Sequence, residues 1–458
     1  MRDFSLSDTI AAIATPPGEG AIAVIRLSGG RAITVVDKLF MGKNKLAQSP
    51  GGRSRYGKIV NEGGEVIDEV VVTIMRAPQS YTGEDTVEIS CHGGYIASAE
   101  ILRLLLSLGV REAERGEFTL RAFLNGRMDL TRAEAVADLV SAKGELRYKT
   151  ALKQLSGDLF GILKSERDKL KDLLSVVELG IDFAEEDIEL SPRSEINYRI
   201  KTIIATISDL IAGFDAGRII REGYRVAISG KVNVGKSSLL NKLLGYERAI
   251  VTPIAGTTRD TLSEPILING LEVHLTDTAG FRDNTESMER EGINRAKRII
   301  ETSDLVLFLL DPTADFTSDD KRIMEIIGDE PKVVLMNKID LFEREEIEKL
   351  RDNFPINVDL NISAFTGENL QKLREIIYER AIGNKDNIQR GMIITNRRHY
   401  ENLKSVMEEL SFALGVKEGD ELIAEHLRRA LNHLGEISGE VVSEEILNNI
   451  FDNFCIGK

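Results

Sequence analysis

Apolar residues recur along this chain with two different periods, and the switches between them divide it into regions. Up to about residue 118, short runs rich in β-branched residues, such as Ala21–Leu27 and Glu69–Met75, are punctuated by Gly, Pro and Ser. These runs predict strands, and the helical pattern at Ile96–Leu108 among them predicts a small α+β domain. From about Phe118 to Phe214 the period is helical. Leu163, Leu170, Leu173, Leu174 and Val177 fall at spacings of three, four and seven, the stripe of an amphipathic helix. Acidic Gly180–Asp187 interrupts this pattern and reads as a solvated loop.

From Tyr224 to about Gly383 strands alternate with helices, which predicts a βαβ sheet. The strands are predicted at Tyr224–Ser229, Leu262–Ile268, Leu271–Thr276, Leu305–Asp311, Lys332–Asn337 and Asn357–Ile362. Asn269-Gly270 predicts a two-residue hairpin, so one antiparallel pair joins an otherwise parallel six-stranded sheet. The region from Asn387 onward is helical again, with Leu403, Val406, Met407 and Leu410 on one face. The reading is a multidomain chain: an α+β domain over 1–118, the first part of a helical domain over 119–216, an inserted α/β domain over 217–383, and the second helical part over 384–458. The two helical parts are expected to pack together.

Composition narrows the setting. A length of 458 residues suits about three domains. No apolar run approaches the roughly 18–20 residues of a membrane span, and the N-terminus lacks a secretory pattern. With only two cysteines, Cys91 and Cys455, neither a disulfide framework nor a zinc ribbon is available. The expectation is a cytoplasmic protein without a membrane partner. A net charge of −15 argues against a surface that coats nucleic acid broadly. It leaves room for a local basic patch at Lys43, Lys45, Arg53, Arg55 and Lys58, where no acid intervenes. That stretch reads equally well as a solvated loop around Pro50-Gly51-Gly52.

Chemistry concentrates in the inserted domain. Gly230-Lys231-Val232-Asn233-Val234-Gly235-Lys236-Ser237 matches the P-loop pattern between a predicted strand and a helix. Its backbone amides and the helix N-terminus suit phosphate. Lys236 is expected on the β- and γ-phosphates and Ser237 on Mg²⁺. Asp277-Thr278-Ala279-Gly280 fits the γ-phosphate-sensing D-x-x-G, Asn337-Lys338-Ile339-Asp340 fits N-K-x-D, and Ser363-Ala364 ends the last strand. All lie at C-terminal strand ends, where open α/β sheets bind ligands. The Asp340 carboxylate can accept from guanine N1–H and N2–H₂ together, so the nucleotide is expected to be GTP.

Ras-type enzymes place a glutamine directly after D-x-x-G to orient water, but this chain has Phe281. Glu286 and Glu289 are the nearest carboxylate candidates, and Arg282 and Arg259 flank the phosphates without forming an obvious arginine finger. His92-Gly93-Gly94 is not read as an oxyanion loop, because no G-x-S-x-G elbow accompanies it.

Asn233 in the P-loop, Ile254-Ala255-Gly256-Thr257-Thr258-Arg259-Asp260, Asp277-Thr278-Ala279-Gly280 and Cys455-Ile456-Gly457-Lys458 together resemble the bacterial tRNA-modification GTPase family TrmE, also called MnmE. Thr15-Pro16-Pro17-Gly18, Thr82-Gly83-Glu84-Asp85, His92-Gly93-Gly94 and Gly116-Glu117-Phe118 extend the resemblance to the N-terminal half. The resemblance implies a homodimer whose GTPase domains pair around a potassium ion standing in for an arginine finger. Asn233, Thr252, Ile254 and Thr257 would ligate K⁺, Thr258 would join Ser237 on Mg²⁺, and Glu289 would position water. Asn233, Val234, Gly235, Lys236, Ser237, Ser238, Thr252, Pro253, Ile254, Ala255, Gly256, Thr257, Thr258, Asp277, Thr278, Ala279 and Gly280 would contact GTP. Asn337, Lys338, Asp340, Ser363 and Ala364 would complete that set from the base side. The family usually carries proline where this chain has Val232, which bears on the fine geometry of the K⁺ ligands.

The resemblance also implies an N-terminal domain binding a one-carbon tetrahydrofolate derivative, of 5-formyl or methylene type, through Arg26, Glu88, Arg127 and Lys458. Position 127 is commonly lysine in the family, so Arg127 keeps the charge but changes its shape. The implied activity, with an FAD- and NADH-dependent partner of the GidA/MnmG family, is addition of a carboxymethylaminomethyl-type group at C5 of the wobble uridine of tRNA. Cys455 is a candidate for that chemistry. The competing reading is a regulatory or ribosome-associated GTPase without RNA chemistry, which shares the P-loop motifs but gives no reason for the Cys-Ile-Gly-Lys ending.

Overall fold

The computed structural model describes residues 8–182, 192–245, 263–278, 286–352, 354–383 and 394–458, with side chains left out at 263 and 286–293. Packing divides the chain into two units. One comprises Met1–Ser141, Ala151–Ile203 and Ser405–Lys458, the other Ala142–Thr150 and Ile204–Lys404. The architecture is the expected one: an α+β N-terminal domain, a helical domain, and an inserted α/β domain of P-loop type.

In the first unit, β1 (Ile10–Ile13), β2 (Ile22–Ser28), β3 (Phe40–Gly42), β4 (Arg53–Val60), β5 (Val66–Met75), β6 (Thr86–His92) and β7 (Arg111–Glu112) form a sheet ordered β3-β4-β5-β6-β2-β1-β7. Only the β1–β7 pair is parallel. Alternation along the strands buries Ile25 and Leu27 of β2, Val70, Val72 and Ile74 of β5, and Val87 and Ile89 of β6 in one core. Helices Ala32–Leu39 and Tyr95–Ser107 contribute Val35, Val36, Ile101 and Leu105 to that core.

The leucine stripe forms a helix over Asp158–Asp182, burying Leu163, Leu170, Leu173 and Val177. The predicted break at Gly180 therefore begins too early. The helix runs through Asp182, because a glycine costs it only about 1 kcal/mol in propensity; residues 183–187 lie outside the described ones. Helix Asp420–Ser438 packs against it, with Arg428 donating to Glu178 at 2.6 Å and Arg167 pairing with Glu440. The two helical parts thus come together although the α/β insertion separates them in sequence. Phe451 and Phe454 near the C-terminus are buried with Leu120, Leu130, Val136 and Leu447, which docks the end of the chain.

In the second unit, β8 (Tyr224–Gly230), β9 (Ser263–Ile268), β10 (Leu271–Asp277), β11 (Leu305–Leu310), β12 (Lys332–Met336) and β13 (Leu360–Asn361) form a six-stranded sheet ordered β13-β12-β11-β8-β10-β9. It is parallel except for β9–β10. Every residue of β11 is buried, as a central parallel strand with both faces covered requires. Ile268 pairs with Leu271 across Asn269-Gly270, whose φ values of 49° and 79° are those of a tight hairpin turn. β13 is shorter than predicted, because at this edge it pairs only with Leu335 and Met336. The segment 142–150 packs with this unit, Leu146 N–H donating to the Gly270 carbonyl at 3.1 Å.

Candidate functional site

The P-loop leaves β8 at Gly230 and enters the helix Lys236–Gly245. Val234 is a buried apolar plug, while Asn233 takes a left-handed φ of 66° and is exposed. Lys236 lies 6% exposed beneath the loop and donates to the Gly230 and Lys231 carbonyls at 2.7 and 2.6 Å. Burial pushes its ammonium below the ordinary lysine range, with the Asp277 charge opposing. A phosphate beside it would relieve that burial cost. Ser237 Oγ donates to Asp277 Oδ2 at 3.0 Å, so a hydroxyl and a carboxylate oxygen meet at the start of the helix. Hard oxygen donors of this kind suit Mg²⁺. Among the described residues no group of three or more His, Cys, Asp or Glu could hold a metal, so further ligands would come from phosphate, water or other segments. Thr278 is tied to β8 through its N–H and hydroxyl, both donating to the Ile228 carbonyl.

The loops after β12 and β13 are stitched to the P-loop by one buried amide. Asn337 Nδ2 donates to the Val234 carbonyl at 2.8 Å, and Asn337 Oδ1 accepts from Ala364 N–H at 2.8 Å. Gly235, at φ 100°, must be glycine, because a Cβ there would collide with that Nδ2. Asp340 Oδ1 accepts from Ser363 Oγ at 2.5 Å, which fixes the carboxylate beside the Ser363-Ala364 loop. Lys338, held at a left-handed φ of 63°, pairs with Asp311 Oδ2 at 2.5 Å. Burial pushes the Asp311 carboxyl up, but hydrogen bonds from Lys338 and Thr313 outweigh it and hold the group below the ordinary carboxylate range. The role of Asp311 in placing Lys338 escapes sequence reasoning, the only sign being an acid at the end of an apolar strand.

Asn233, Val234, Gly235, Lys236, Ser237, Ser238, Asp277, Thr278, Asn337, Lys338, Asp340, Ser363 and Ala364 thus all belong to this unit, at or just beyond the C-terminal ends of β8, β10, β12 and β13. Thr252, Pro253, Ile254, Ala255, Gly256, Thr257, Thr258, Arg259, Asp260, Ala279, Gly280, Phe281 and Arg282 lie outside the described residues. Glu286 and Glu289 are carried on the helix Glu286–Glu301, whose side chains at 286–293 also lie outside them.

A second constellation lies in the other unit. Arg26 donates through Nε to Glu88 at 2.9 Å and through Nη1 to the Gly457 carbonyl at 3.1 Å. Its guanidinium sits 5.6 and 5.7 Å from the ring centroids of Tyr81 and Phe118. Arg26 is thereby a strut between β2, β6 and the chain's last residues. Gly457 packs on Ala14 so closely that a Cβ would stand 2.7 Å from its Cα. Arg127 is exposed beside Gly83, and neither Arg127 nor Lys458 forms an ion pair among the described residues. Cys455 is exposed, whereas Cys91 is buried and burial pushes its thiol up to about 11. Cys455 is the accessible thiol.

Comparison with known proteins addresses the whole chain. Residues 9–127 match the family model described as the GTP-binding protein TrmE N-terminus, and residues 130–455 match the MnmE helical domain. A protein of Natranaerobius thermophilus named tRNA modification GTPase MnmE is 43% identical over 458 residues, covering 98% of this chain and 99% of that one. Proteins of the same name from Thermoanaerobacter pseudethanolicus and Ligilactobacillus salivarius are 43% and 41% identical, each covering 98% of this chain and 99% and 98% of their own length. Identity at this level over the full length, with both family models matching in order, places this chain in the MnmE (TrmE) family of tRNA-modification GTPases.

Proposed function

We propose that this chain is a potassium-activated GTPase that modifies the wobble uridine of tRNA in the cytoplasm, as a homodimer working with an FAD- and NADH-dependent partner of the GidA/MnmG family. The functional division follows the sequence reading, with folate-type chemistry in 1–118, GTP in 217–383, and helical parts at 119–216 and 384–458. The observation that carries the GTP reading is the Asn337 stitch together with Asp340 held beside Ser363-Ala364. A carboxylate beside a phosphate loop is the acceptor that guanine N1–H and N2–H₂ require, which supports this reading.

Lys236, now donating to carbonyls of its own loop, would turn to the β- and γ-phosphates. Ser237 with Thr258 would hold Mg²⁺, and the oxygen set Asn233, Thr252, Ile254 and Thr257 would hold K⁺. The exposed Asn233 amide makes no hydrogen bond among the described residues, which suits such a ligand. When bound, the two cations offset charge that develops on the phosphates in the transition state. Glu289 would orient the attacking water, since Phe281 cannot. In the other unit, Arg127 and Lys458 would receive the carboxylates of a reduced one-carbon folate, which supplies carbon for the modification. Arg26 and Glu88 would hold the tail so that Cys455 faces the reaction.

Replacing Asp340 with Asn tests the base site. The change turns one acceptor into a donor, so guanine loses its match and xanthine gains one; a mismatched buried polar pair costs about 1–3 kcal/mol. The variant should prefer XTP to GTP in hydrolysis and binding. Retention of full GTP preference would sink the assignment.

A further inference from the structure

Between Asp37 and Glu62 the chain holds Lys38, Lys43, Lys45, Arg53, Arg55 and Lys58 and no acid, in a protein of net charge −15. The structure turns this stretch into a defined lip at one edge of the N-terminal sheet. β3 is the edge strand, and beyond it the chain passes through a single 3-10 turn, Leu46–Gln48, before returning as β4. This is not a loose loop. Leu46 is fully buried, its N–H donates to Asp37 Oδ1 at 2.5 Å, and Ser49 is 3% exposed. Arg55 Nε donates to Ser49 Oγ at 3.0 Å, and Arg76 Nη2 donates to the Ala47 and Ser49 carbonyls at 2.7 and 3.2 Å.

Both guanidiniums thus hold the turn through neutral oxygens, a hydroxyl for Arg55 and carbonyls for Arg76, and neither has a counter-ion among the described residues. Lys43, Lys45 and Arg53 stand exposed on the same segment and form no ion pair among the described residues. The nearby Glu69 is already engaged, by Lys58 at 3.2 Å and by the Tyr56 hydroxyl at 2.5 Å. Tyr56, Lys58 and Glu69 point to the opposite face of the sheet from Arg53 and Arg55, so Glu69 does not neutralise that pair. Arg53 and Arg55 lie two residues apart on one face of β4, about 6.7 Å at strand pitch, close to the spacing of successive phosphates along a polynucleotide. Fixed cations without counter-ions, at phosphate spacing, are what holds the backbone of a nucleic acid.

We propose that the lip formed by Lys43, Lys45, Arg53, Arg55 and Arg76 is a docking surface for the phosphodiester backbone of RNA. The proposal rests on the reading of this chain as tRNA-modifying, so the RNA it names is tRNA.

The test is binding of fluorescently labelled tRNA to the full-length protein without nucleotide, followed between about 50 and 200 mM salt. A Lys43→Ala, Lys45→Ala, Arg53→Ala triple variant should bind at least about tenfold more weakly near 100 mM and show a salt slope shallower by about 2–3. A charge-keeping Lys43→Arg, Lys45→Arg, Arg53→Lys variant should bind as the parent does. A remote variant of equal charge change, Lys164→Ala, Lys171→Ala, Lys201→Ala, should also bind as the parent does. If the alanine triple folds poorly, Lys43→Ala and Arg53→Ala alone carry the test, each lowering the slope by about 1. Unchanged affinity in the lip variants, or an equal loss in the remote variant, overturns the surface while leaving the tRNA function intact. Phosphatidylserine vesicles that bind through Lys43 and Arg53 while tRNA binding stays unchanged would overturn it too. A parent protein that binds no tRNA at any salt overturns both the surface and the function it rests on.

Discussion

Removing the Asn337 side chain should loosen the phosphate loop and the base loop together. In Asn337→Ala, the Val234 carbonyl loses its Nδ2 donor and the Ala364 N–H loses its Oδ1 acceptor, both at a side chain that is 2% exposed. A buried polar group left without its partner costs about 1–3 kcal/mol, so two of them should lower local stability by about 2–6 kcal/mol. Because the chain packs as two units, a single melting temperature is a poor readout. Local hydrogen exchange reads the effect where it arises. Protection at Gly235, Lys236 and Ala364 should fall at least about thirtyfold, which corresponds to roughly 2 kcal/mol. Affinity for a fluorescent GDP should fall with it. Asn337→Asp sharpens the test, since it keeps an acceptor for Ala364 N–H but turns an oxygen toward the Val234 carbonyl. Its loss should therefore be confined to Gly235 and Lys236. Protection within threefold of the parent in Asn337→Ala would show that the amide is not what joins the two loops.

Hydrolysis should be faster in potassium than in sodium at protein concentrations that keep the dimer; Asn233→Ala should erase that difference while sparing GTP affinity, and Glu289→Ala should cut turnover strongly in either salt. Equal parent rates in the two salts, or unimpaired Glu289→Ala turnover, would refute the respective role. Arg121, 2% exposed, pairs with Asp8 at 2.5 Å, Glu117 at 3.0 Å and Glu84 at 3.3 Å. Arg121→Leu strips Glu84 of its ion pair and leaves Asp8 and Glu117 sharing Arg111, and should destabilise the N-terminal unit by about 3–5 kcal/mol in denaturant unfolding at pH 7. Burial pushes the Glu117 carboxyl up, but Arg111 and its other partners outweigh that and hold it below its ordinary value. Its stabilisation is therefore complete above about pH 4.3 and lost as pH falls through the lower folded value. The Arg121→Leu deficit should stay constant from pH 8 to 5 and shrink below pH 4; a deficit that grows on acidification would contradict the pairing.

Much of the fold, and the place of each motif in it, was legible because the motifs are local. Gly230–Ser237, Asp277 and Asn337–Asp340 each lie at a strand end that hydrophobic periodicity alone locates, and Asn269-Gly270 announces its own hairpin. Contacts that join distant segments left no such trace. Asp311 holding Lys338, and Arg26 lying near two aromatic rings with Glu88 and Gly457, each combine residues from different elements. Gly180 misled for a related reason, since local propensity marks a break that the packing of a long leucine stripe overrides. The basic stretch at Lys43–Lys58 was visible but undecidable, because only the packing of Leu46 and the bonds from Arg55 and Arg76 distinguish a built lip from a solvated loop.

The central claim is that one chain couples a GTPase to chemistry on tRNA carried out in its other unit, and removal of Cys455–Lys458 separates the two. The deletion takes away the Gly457 carbonyl that Arg26 grips, the exposed thiol and the Lys458 cation, and leaves Phe451 and Phe454 in their core. Nucleosides from the tRNA of a strain carrying only the truncated protein should be measured by mass spectrometry, beside GTP turnover of the same purified protein. The account predicts complete loss of the C5 wobble-uridine modification with potassium-stimulated hydrolysis within a few-fold of the parent. A normally modified tRNA pool in that strain would contradict it and leave only a GTPase.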